Sequence, residues 1–203
     1  GLFYKHFSNP IEMFFLPGAG SGGTRNFSYG NAQQAQSLGA EVEVRRQLNG
    51  IFPQGYLSHL GVTFNAAYVI TQVQLGDQAK GQAQQRPLLG QSPYIINAGL
   101  YWQDSDRKLQ YSILYNVIGP RLFAVGTYGT PDIYELPRNV IDISVSKGLG
   151  EHFDVKLGVQ DLLNQRTRLI QDTNDDGRFG DQDQEVMSYR RGAYFTAGIG
   201  YRF

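Results

Sequence analysis

The residues whose types and spacing best match a known chemistry form an acidic stretch at residues 172–183, DTNDDGRFGDQD. An acid or amide stands at positions 1, 3 and 5, a glycine at position 6 and an acid at position 12. Such side chains converge on one hard cation, and the glycine permits the turn that brings the position-7 carbonyl to it. The spacing predicts a calcium loop with ligands Asp172, Asn174, Asp176, the Arg178 carbonyl and Asp183. The alternative is a solvated acidic loop, because position 12 is the shorter Asp and no flanking helices are expected.

A glycine-rich stretch at residues 18–23, GAGSGG, formally satisfies the dinucleotide-binding pattern. That pattern works only between a strand and a helix whose N-terminus receives the pyrophosphate. Residues 24–30 do not have the pattern of a helix, so we interpret the stretch as an outer loop. We therefore predict no cofactor other than calcium.

The composition excludes several classes of protein. The 203 residues include 18 Lys+Arg and 18 Asp+Glu, so no net charge draws the chain to nucleic acid. No apolar run approaches the roughly 18 residues of a membrane-spanning helix, which excludes a helical membrane protein. The absence of cysteine excludes disulfides and thiol chemistry. With 13 Tyr, 12 Phe and 25 Gly, the composition favours strands and turns.

The elements that must position these loops are strands in which apolar residues alternate with polar or small ones. The clearest is LGVTFNAAYVI at residues 60–70, and about seven similar segments, including the opening one, give strands long enough to cross a bilayer at a tilt. The fold class is therefore all-β, an antiparallel transmembrane barrel. We expect Val62, Phe64, Ile113, Ile143, Val155 and Ile199 to face lipid, and Glu43, Asn65, Asn97, Asp142 and Lys156 to face the interior.

The connections between these strands alternate between short and long, as in outer-membrane barrels with short periplasmic turns and long outer loops. Short connections are predicted near residues 49–50, 104–106 and 148–150, and long ones at about residues 15–30, 74–92, 125–136 and 163–188. A water-soluble β-sandwich is the alternative, since alternation alone does not exclude it. Aromatic residues at strand ends favour an interfacial girdle over a sandwich core. These residues are Tyr94, Trp102, Tyr111, Tyr201 and Phe203.

Catalysis would require a base near the outer rim, and the three histidines are His6, His59 and His152. The strand directions place His59 and His152 near periplasmic ends. We therefore predict no catalytic residues, and an outer-membrane enzyme ranks third among the functional hypotheses.

Several sequence blocks resemble segments of one protein family. They are FYKHFSNPIE at residues 3–12, NA at 31–32 with GAEVE at 39–43, QDLLN at 160–164 and YRF at 201–203. In this order they resemble the barrels of TonB-dependent receptors, a group that includes the SusC-like transporters. The chain is thus identified as the C-terminal portion of such a barrel, with residues 1–203 forming one domain that contains no plug. Because the opening residues already have the pattern of a strand, we expect a fragment that begins inside the barrel.

The resemblance implies a barrel of about 22 strands closed by an N-terminal plug, and energy-coupled uptake of a nutrient across the outer membrane of a Gram-negative bacterium. The implied partners are the remainder of the barrel, the plug, TonB, outer-membrane lipid and a surface lipoprotein lid. Tyr201 and Phe203 resemble the C-terminal signal read by the barrel-assembly machinery. The alternative function is a stand-alone barrel of about eight strands with a structural or adhesin role.

Overall fold

The computed structural model describes residues 1–16, 26–77, 79–127, 129–174, 177–180 and 182–203; the glycine-rich stretch lies outside these ranges. The described residues contain no α-helix, and no helix long and apolar enough to span a membrane is found among them. They form fifteen strands: β1 (Leu2–Ser8), β2 (Ile11–Leu16), β3 (Asn26–Asn31), β4 (Gln34–Gln47), β5 (Leu60–Gln74), β6 (Gln85–Arg86), β7 (Tyr94–Asp104), β8 (Leu109–Ile118), β9 (Arg121–Ala124), β10 (Ile133–Glu135), β11 (Arg138–Leu149), β12 (Phe153–Gln160), β13 (Thr167–Gln171), β14 (Gln184–Tyr189) and β15 (Tyr194–Tyr201).

Eight of the strands form one antiparallel wall in the order β1-β4-β5-β7-β8-β11-β12-β15, and β6 adds to the upper end of β5. Chain neighbours are therefore sheet neighbours throughout, as an up-and-down barrel requires. This confirms the predicted fold class of an antiparallel transmembrane barrel wall with about eight strands. β1 and β15 lie at opposite ends of the sheet, and no ladder between them occurs in the described part of the chain.

The ladder register divides the side chains of the wall between two faces. Val62 lies opposite Leu100, Leu100 opposite Ile113, and Ile113 opposite Ile143, so one face is apolar. Alternate residues of a strand point to opposite faces. On the other, polar face Glu43 lies opposite Asn65, and Asn65 lies opposite Asn97. Side chains predicted to face lipid and those predicted to face the interior therefore lie on opposite sides of the sheet.

The apolar band on the outward face is staggered across the wall. Its lower limit falls at Val44 on β4, at Trp102 on β7 and at Tyr201 on β15. This limit shifts by slightly more than one residue per strand, which at about 3.3 Å per residue and about 4.8 Å between strands corresponds to a tilt of roughly 40°. The apolar row of residues 60–70 then covers about 25 Å of bilayer, as in known outer-membrane barrels.

Above this band the polarity of the two faces reverses. The outward positions become His6, Gln36 and Gln72, whereas Ala35 and Val73 point inward. The inward residues join a buried cluster beneath the outer loops that consists of Phe14, Ala32, Ala35, Val73, Leu75 and Ala79, with Leu88 packed against it. The strands therefore extend beyond the hydrocarbon, and the outer loops have a small hydrophobic core of their own.

The connections follow the predicted alternation but differ in detail. The lower turns at residues 105–108 and 150–152 are short as predicted, whereas the turn predicted near residues 49–50 spans residues 48–59. Pro53 cannot donate to a ladder, and Gly55 adopts a φ of 81°, so β5 begins only at Leu60. The long outer loops contain strands that the sequence did not predict, namely the β2–β3 hairpin and a four-stranded sheet in the order β14-β13-β10-β9.

Candidate functional site: the inward face and the outer mouth

A ladder of amide side chains crosses the inward face at mid-height. Asn116 Nδ2 donates to Asn97 Oδ1 over 2.7 Å, and Asn97 Nδ2 donates to Asn65 Oδ1 over 3.3 Å. The hydroxyls of Ser112 and Ser144 lie 2.7 Å apart on the same face. Each amide retains hydrogen-bonding capacity beyond these contacts. The ladder therefore gives the interior a fixed polar surface for water, solute or a protein domain.

A cavity of about 230 Å³ lies above this ladder, where the wall meets the outer loops. Its basic residues are Arg121, Arg138 and Arg191. Arg121 donates twice to the Glu135 carboxylate, at 2.7 and 3.0 Å, and Arg138 forms an ion pair with Asp161. A hydrogen bond with the Tyr189 side chain raises the pKa of the exposed Arg191 guanidinium.

Three guanidiniums thus lie around this cavity with the carboxylates of Glu135 and Asp161, and the carboxylate of Asp142 lies next to Asp161, so the charges balance. The Asp161 backbone N–H donates to Asp142 Oδ1 over 2.8 Å, and Asp161 adopts a φ of 54°. Asp161 Oδ1 is buried without a hydrogen-bond donor among the described residues. The arrangement offers charged groups of both signs to a polar ligand, and no nucleophile is paired with a base among the described residues around the cavity.

A third ion pair fixes the β2–β3 hairpin at the mouth. Arg86 Nη2 donates to Glu12 Oε2 over 2.8 Å and to the Met13 carbonyl over 3.2 Å. The Arg86 and Glu12 side chains are only 2% and 6% exposed. Because Arg86 aligns with the inward-pointing Val73, the hairpin is tied to the inner side of the wall. It therefore lies at the mouth of the barrel and not on its lipid side.

Two of the predicted calcium ligands in the acidic loop, Asp172 and Asp183, accept hydrogen bonds from backbone N–H groups. The Asp172 carboxylate is buried and accepts the Gly177 N–H over 2.8 Å. The Asp183 carboxylate accepts the N–H groups of Thr173 and Gly180, at 3.2 and 2.7 Å. Asn174 and Arg178 are exposed, and Asp176 lies outside the described residues. No group of three or more acidic or histidine side chains suited to a metal is found among the described residues, so the calcium site stays a prediction.

The histidines and the C-terminal aromatics lie at the lower end of the wall. His59 Nδ1 is 3.0 Å from the Gln103 carbonyl oxygen, and His152 Nδ1 is 3.0 Å from that of Arg202. The Tyr201 ring packs against Phe153 at 4.9 Å between centroids, and edge-on against Phe203 at 5.2 Å. These contacts place Tyr201 and Phe203 together at the lower rim, and their role in assembly stays a prediction.

Sequence reasoning missed the charged residues of the two ion pairs. Arg138 begins β11 and Asp161 directly follows β12, so both border long outer loops. The Arg138–Asp161 pair could have been predicted from the sequence, because each of two neighbouring strands has a charged residue at its upper end. For Glu12 and Arg86 the sequence provides no comparable signal, because both lie within loops and are 74 positions apart.

Comparisons with known proteins agree on one architecture. The family model described as TonB dependent receptor-like, beta-barrel matches residues 1–162. No curated protein sequence matches the chain. Two solved structures of mutant ferric enterobactin receptors from Pseudomonas aeruginosa, one of them in complex with enterobactin, share 17% and 15% identity with TM-scores of 0.52 and 0.51. Each alignment covers 81% of this chain and 23% of the receptor, so the chain spans less than a quarter of those receptors. At this sequence identity the similarity to these receptors shows a shared fold alone.

Proposed function

Since the chain belongs to the TonB-dependent receptor β-barrel family, we propose that it forms part of the barrel wall of a receptor for energy-coupled uptake of a nutrient across the outer membrane. One observation carries this proposal: a staggered sheet with an apolar outward face and a polar inward face. The outward face matches a bilayer and the inward face matches water, a solute or a plug.

The exposure of the apolar face supports membrane insertion over a soluble sandwich. Several of its large aliphatic and aromatic side chains are 40–80% exposed, among them Leu38, Phe64, Ile113, Leu157 and Phe195. No second sheet covers them in the described structure. A contiguous apolar surface of this extent is rare on a monomeric soluble protein. Lipid is the partner that removes it from water.

The proposed partners follow from the two open edges of the wall. An unpaired edge in hydrocarbon leaves backbone groups that cost several kcal/mol each, so we propose that the remainder of the barrel pairs with β1 and β15. A plug would fill the interior of the barrel, and TonB would couple uptake to a source of energy. A surface lipoprotein lid remains part of the proposal as an expectation of the family resemblance. The alternative, a barrel closed by these eight strands alone, is disfavoured because β1 and β15 occupy opposite ends of the sheet.

Within the proposal, the cavity around Arg138 and the amide ladder below it lie in sequence along the inward face. A polar solute that entered the mouth would meet the balanced charges around the cavity first and the neutral amides next. The substrate itself is left to experiment, because the named ligand of the solved relatives does not transfer at 17% identity.

The test is a comparison of nutrient depletion from a defined medium by three strains: one with the intact gene, one with the gene deleted and one without TonB. We expect the same compound to remain in the medium of both mutants and to disappear in the parent strain. An identical depletion profile in all three strains would contradict energy-coupled uptake. Normal uptake together with a loss of surface adhesion in the deletion strain would favour the adhesin alternative.

A further inference from the structure

The lower turn at residues 48–59, LNGIFPQGYLSH, differs from the other two lower turns. It contains no Lys, Arg, Asp or Glu, whereas the turns at residues 105–108 and 150–152 have the sequences SDRK and GEH. Four of its large apolar side chains are exposed: Ile51 by 56%, Phe52 by 43%, Tyr56 by 64% and Leu57 by 42%. A long, uncharged and apolar turn at the periplasmic side requires a partner that is not water.

The turn is held on the outward side of the wall. Trp102 lies in the outward row with Leu60 and Tyr111, at the lower limit of the apolar band. The Tyr56 ring stacks on Trp102 with 4.7 Å between centroids, and Trp102 Nε1 donates to the Tyr56 carbonyl over 2.9 Å. The Trp102 side chain is thereby buried to 5% exposure. The turn is thus continuous with the lipid-facing band and does not close the lumen.

The backbone of the turn is suited to a medium of low water content. Two short 3-10 helices, Leu48–Gly50 and Tyr56–His59, pack against each other. The N–H groups of Ile51 and Phe52 donate to the Leu48 carbonyl at 2.9 and 2.8 Å, and the Ser58 N–H donates to the Gly55 carbonyl at 3.2 Å. Internal hydrogen bonding of this kind lowers the cost of leaving water.

A cation completes the arrangement. Arg46 occupies an outward position on β4, opposite Val62, and its guanidinium lies near Gly50 of the turn. An outward guanidinium at the lower limit of the apolar band is placed to meet lipid phosphates while its stem lies along apolar surface. Exposed apolar side chains beside the lower limit of an apolar band, with a cation next to them, are the features of an interfacial anchor.

We propose that residues 48–59 form a membrane anchor that lies in the headgroup region of the inner, phospholipid leaflet, with Ile51, Phe52 and Leu57 immersed among the upper acyl carbons. The occupant of this surface is phospholipid, not a periplasmic protein. The anchor fixes the height of the barrel in the membrane at the β4–β5 hairpin. The inference rests on the proposed membrane placement of the wall.

The test places an environment-sensitive NBD fluorophore on single cysteines in the intact receptor, with any cysteine elsewhere replaced by serine. The receptor is reconstituted in phosphatidylethanolamine–phosphatidylglycerol vesicles, with or without phospholipids brominated at shallow or deep acyl positions. Phe52→Cys and Leu57→Cys report on the turn. Ser105→Cys in the charged turn is the control in water, and Phe64→Cys is the control in the apolar band.

We expect the Phe52 and Leu57 probes to lose most of their emission with shallow bromines, the Phe64 probe with deep bromines, and the Ser105 probe with neither. If the Phe64 probe is quenched while the Phe52 and Leu57 probes behave like the Ser105 probe, the proposed anchor is wrong and the membrane placement of the wall stands. Blue-shifted but unquenched probes on the turn would mean that protein covers it, which also overturns the anchor. An unquenched Phe64 probe would instead contradict the proposed membrane wall itself.

Discussion

At the scale of single residues, two ion pairs determine where the outer loops lie. The Glu12–Arg86 pair is almost fully buried, and the Arg138–Asp161 pair is 17% and 9% exposed. Burying such charges costs several kcal/mol, which their attraction offsets only when the geometry is good. Removing one partner leaves the other charge buried and unpaired. We therefore attribute to these pairs the positioning of loops, not a large net stabilisation.

The first prediction concerns Glu12→Gln, which leaves the Arg86 guanidinium buried without its counter-charge. We expect the β2–β3 hairpin to lose about 3–5 kcal/mol of local stability, measured by hydrogen exchange of its backbone amides. The matched control is Glu185→Gln, which breaks the exposed Arg168–Glu185 pair. An exposed pair contributes about 0–1 kcal/mol. Equal amide protection in the Glu12→Gln variant and the unmodified protein would contradict the assigned role.

The second prediction concerns calcium in the acidic loop. We expect calcium in the millimolar to sub-millimolar range to slow proteolysis of residues 172–183, because a cation would neutralise crowded carboxylates and hold the loop in one shape. Asp172→Asn retains an oxygen that accepts the Gly177 N–H but removes a charge, so it should abolish the calcium effect. Asp77→Asn, in a different outer loop, should not. Equal cleavage of the unmodified loop with calcium and with chelator would leave only a solvated acidic loop.

At this scale the sequence predicted only the contacts that depend on local spacing. The spacing of residues 172–183 predicted a calcium loop, which stays a prediction; the structure shows there that the Gly177 N–H donates to the Asp172 carboxylate, five residues earlier in the chain. The Glu12–Arg86 ion pair was not predictable in the same way. Arg86 meets Glu12 only because a hairpin and a two-residue strand converge at the mouth, and no periodicity in the sequence encodes that approach.

At the scale of the elements, the wall strands were predictable because one side must be apolar and the other polar at every second residue. The strands of the outer loops were not. β9, β10, β13 and β14 lie in loops between the wall strands, where a bilayer imposes no such alternation. The reversal of polarity near Gln36 and Gln72 has the same cause, since the hydrocarbon ends there.

The third prediction compares arginine on the two faces of one strand. Ile113→Arg places a cation in the middle of the apolar band and should lower the free energy of unfolding by about 2–4 kcal/mol. Gln110→Arg, on the inward face of the same strand β8, should change it by no more than about 0.5 kcal/mol. Both are measured by urea unfolding in lipid vesicles. Similar losses for the two variants would show that the faces are assigned wrongly.

The fourth prediction concerns the C-terminal residue. Deletion of Phe203 should lower the amount of assembled protein in the outer membrane more than it lowers the stability of the protein that does assemble. The reason is that the ring is fully exposed and contacts chiefly Tyr201, so the folded wall loses little packing. Surface levels are compared with those of Leu2→Ala, an exposed apolar change at the opposite edge. Unchanged surface levels of the protein after the deletion would mean that Phe203 is only an aromatic residue of the interfacial girdle and not an assembly signal.

At the scale of the whole molecule, the account depends on an open wall. Eight tilted strands run in chain order from β1 to β15, and both outer edges present unpaired backbone groups. A bilayer does not tolerate such edges, so the proposed membrane placement predicts that further strands satisfy them. Sequence reasoning predicted this architecture from strand length and alternating connections. The need for a partner at each edge follows from the backbone groups, whereas the plug, TonB and the lipoprotein lid were inferred from family resemblance alone.

The most direct test is a cryo-EM structure of the intact receptor in lipid nanodiscs, with attention to the partners of β1 and β15. The account predicts that each edge pairs with a strand outside these 203 residues, and that Val62, Ile113 and Ile199 face lipid. Direct pairing of β1 with β15 would contradict it, because these eight strands would then close a barrel alone. Burial of the same apolar row against a second sheet would contradict it equally.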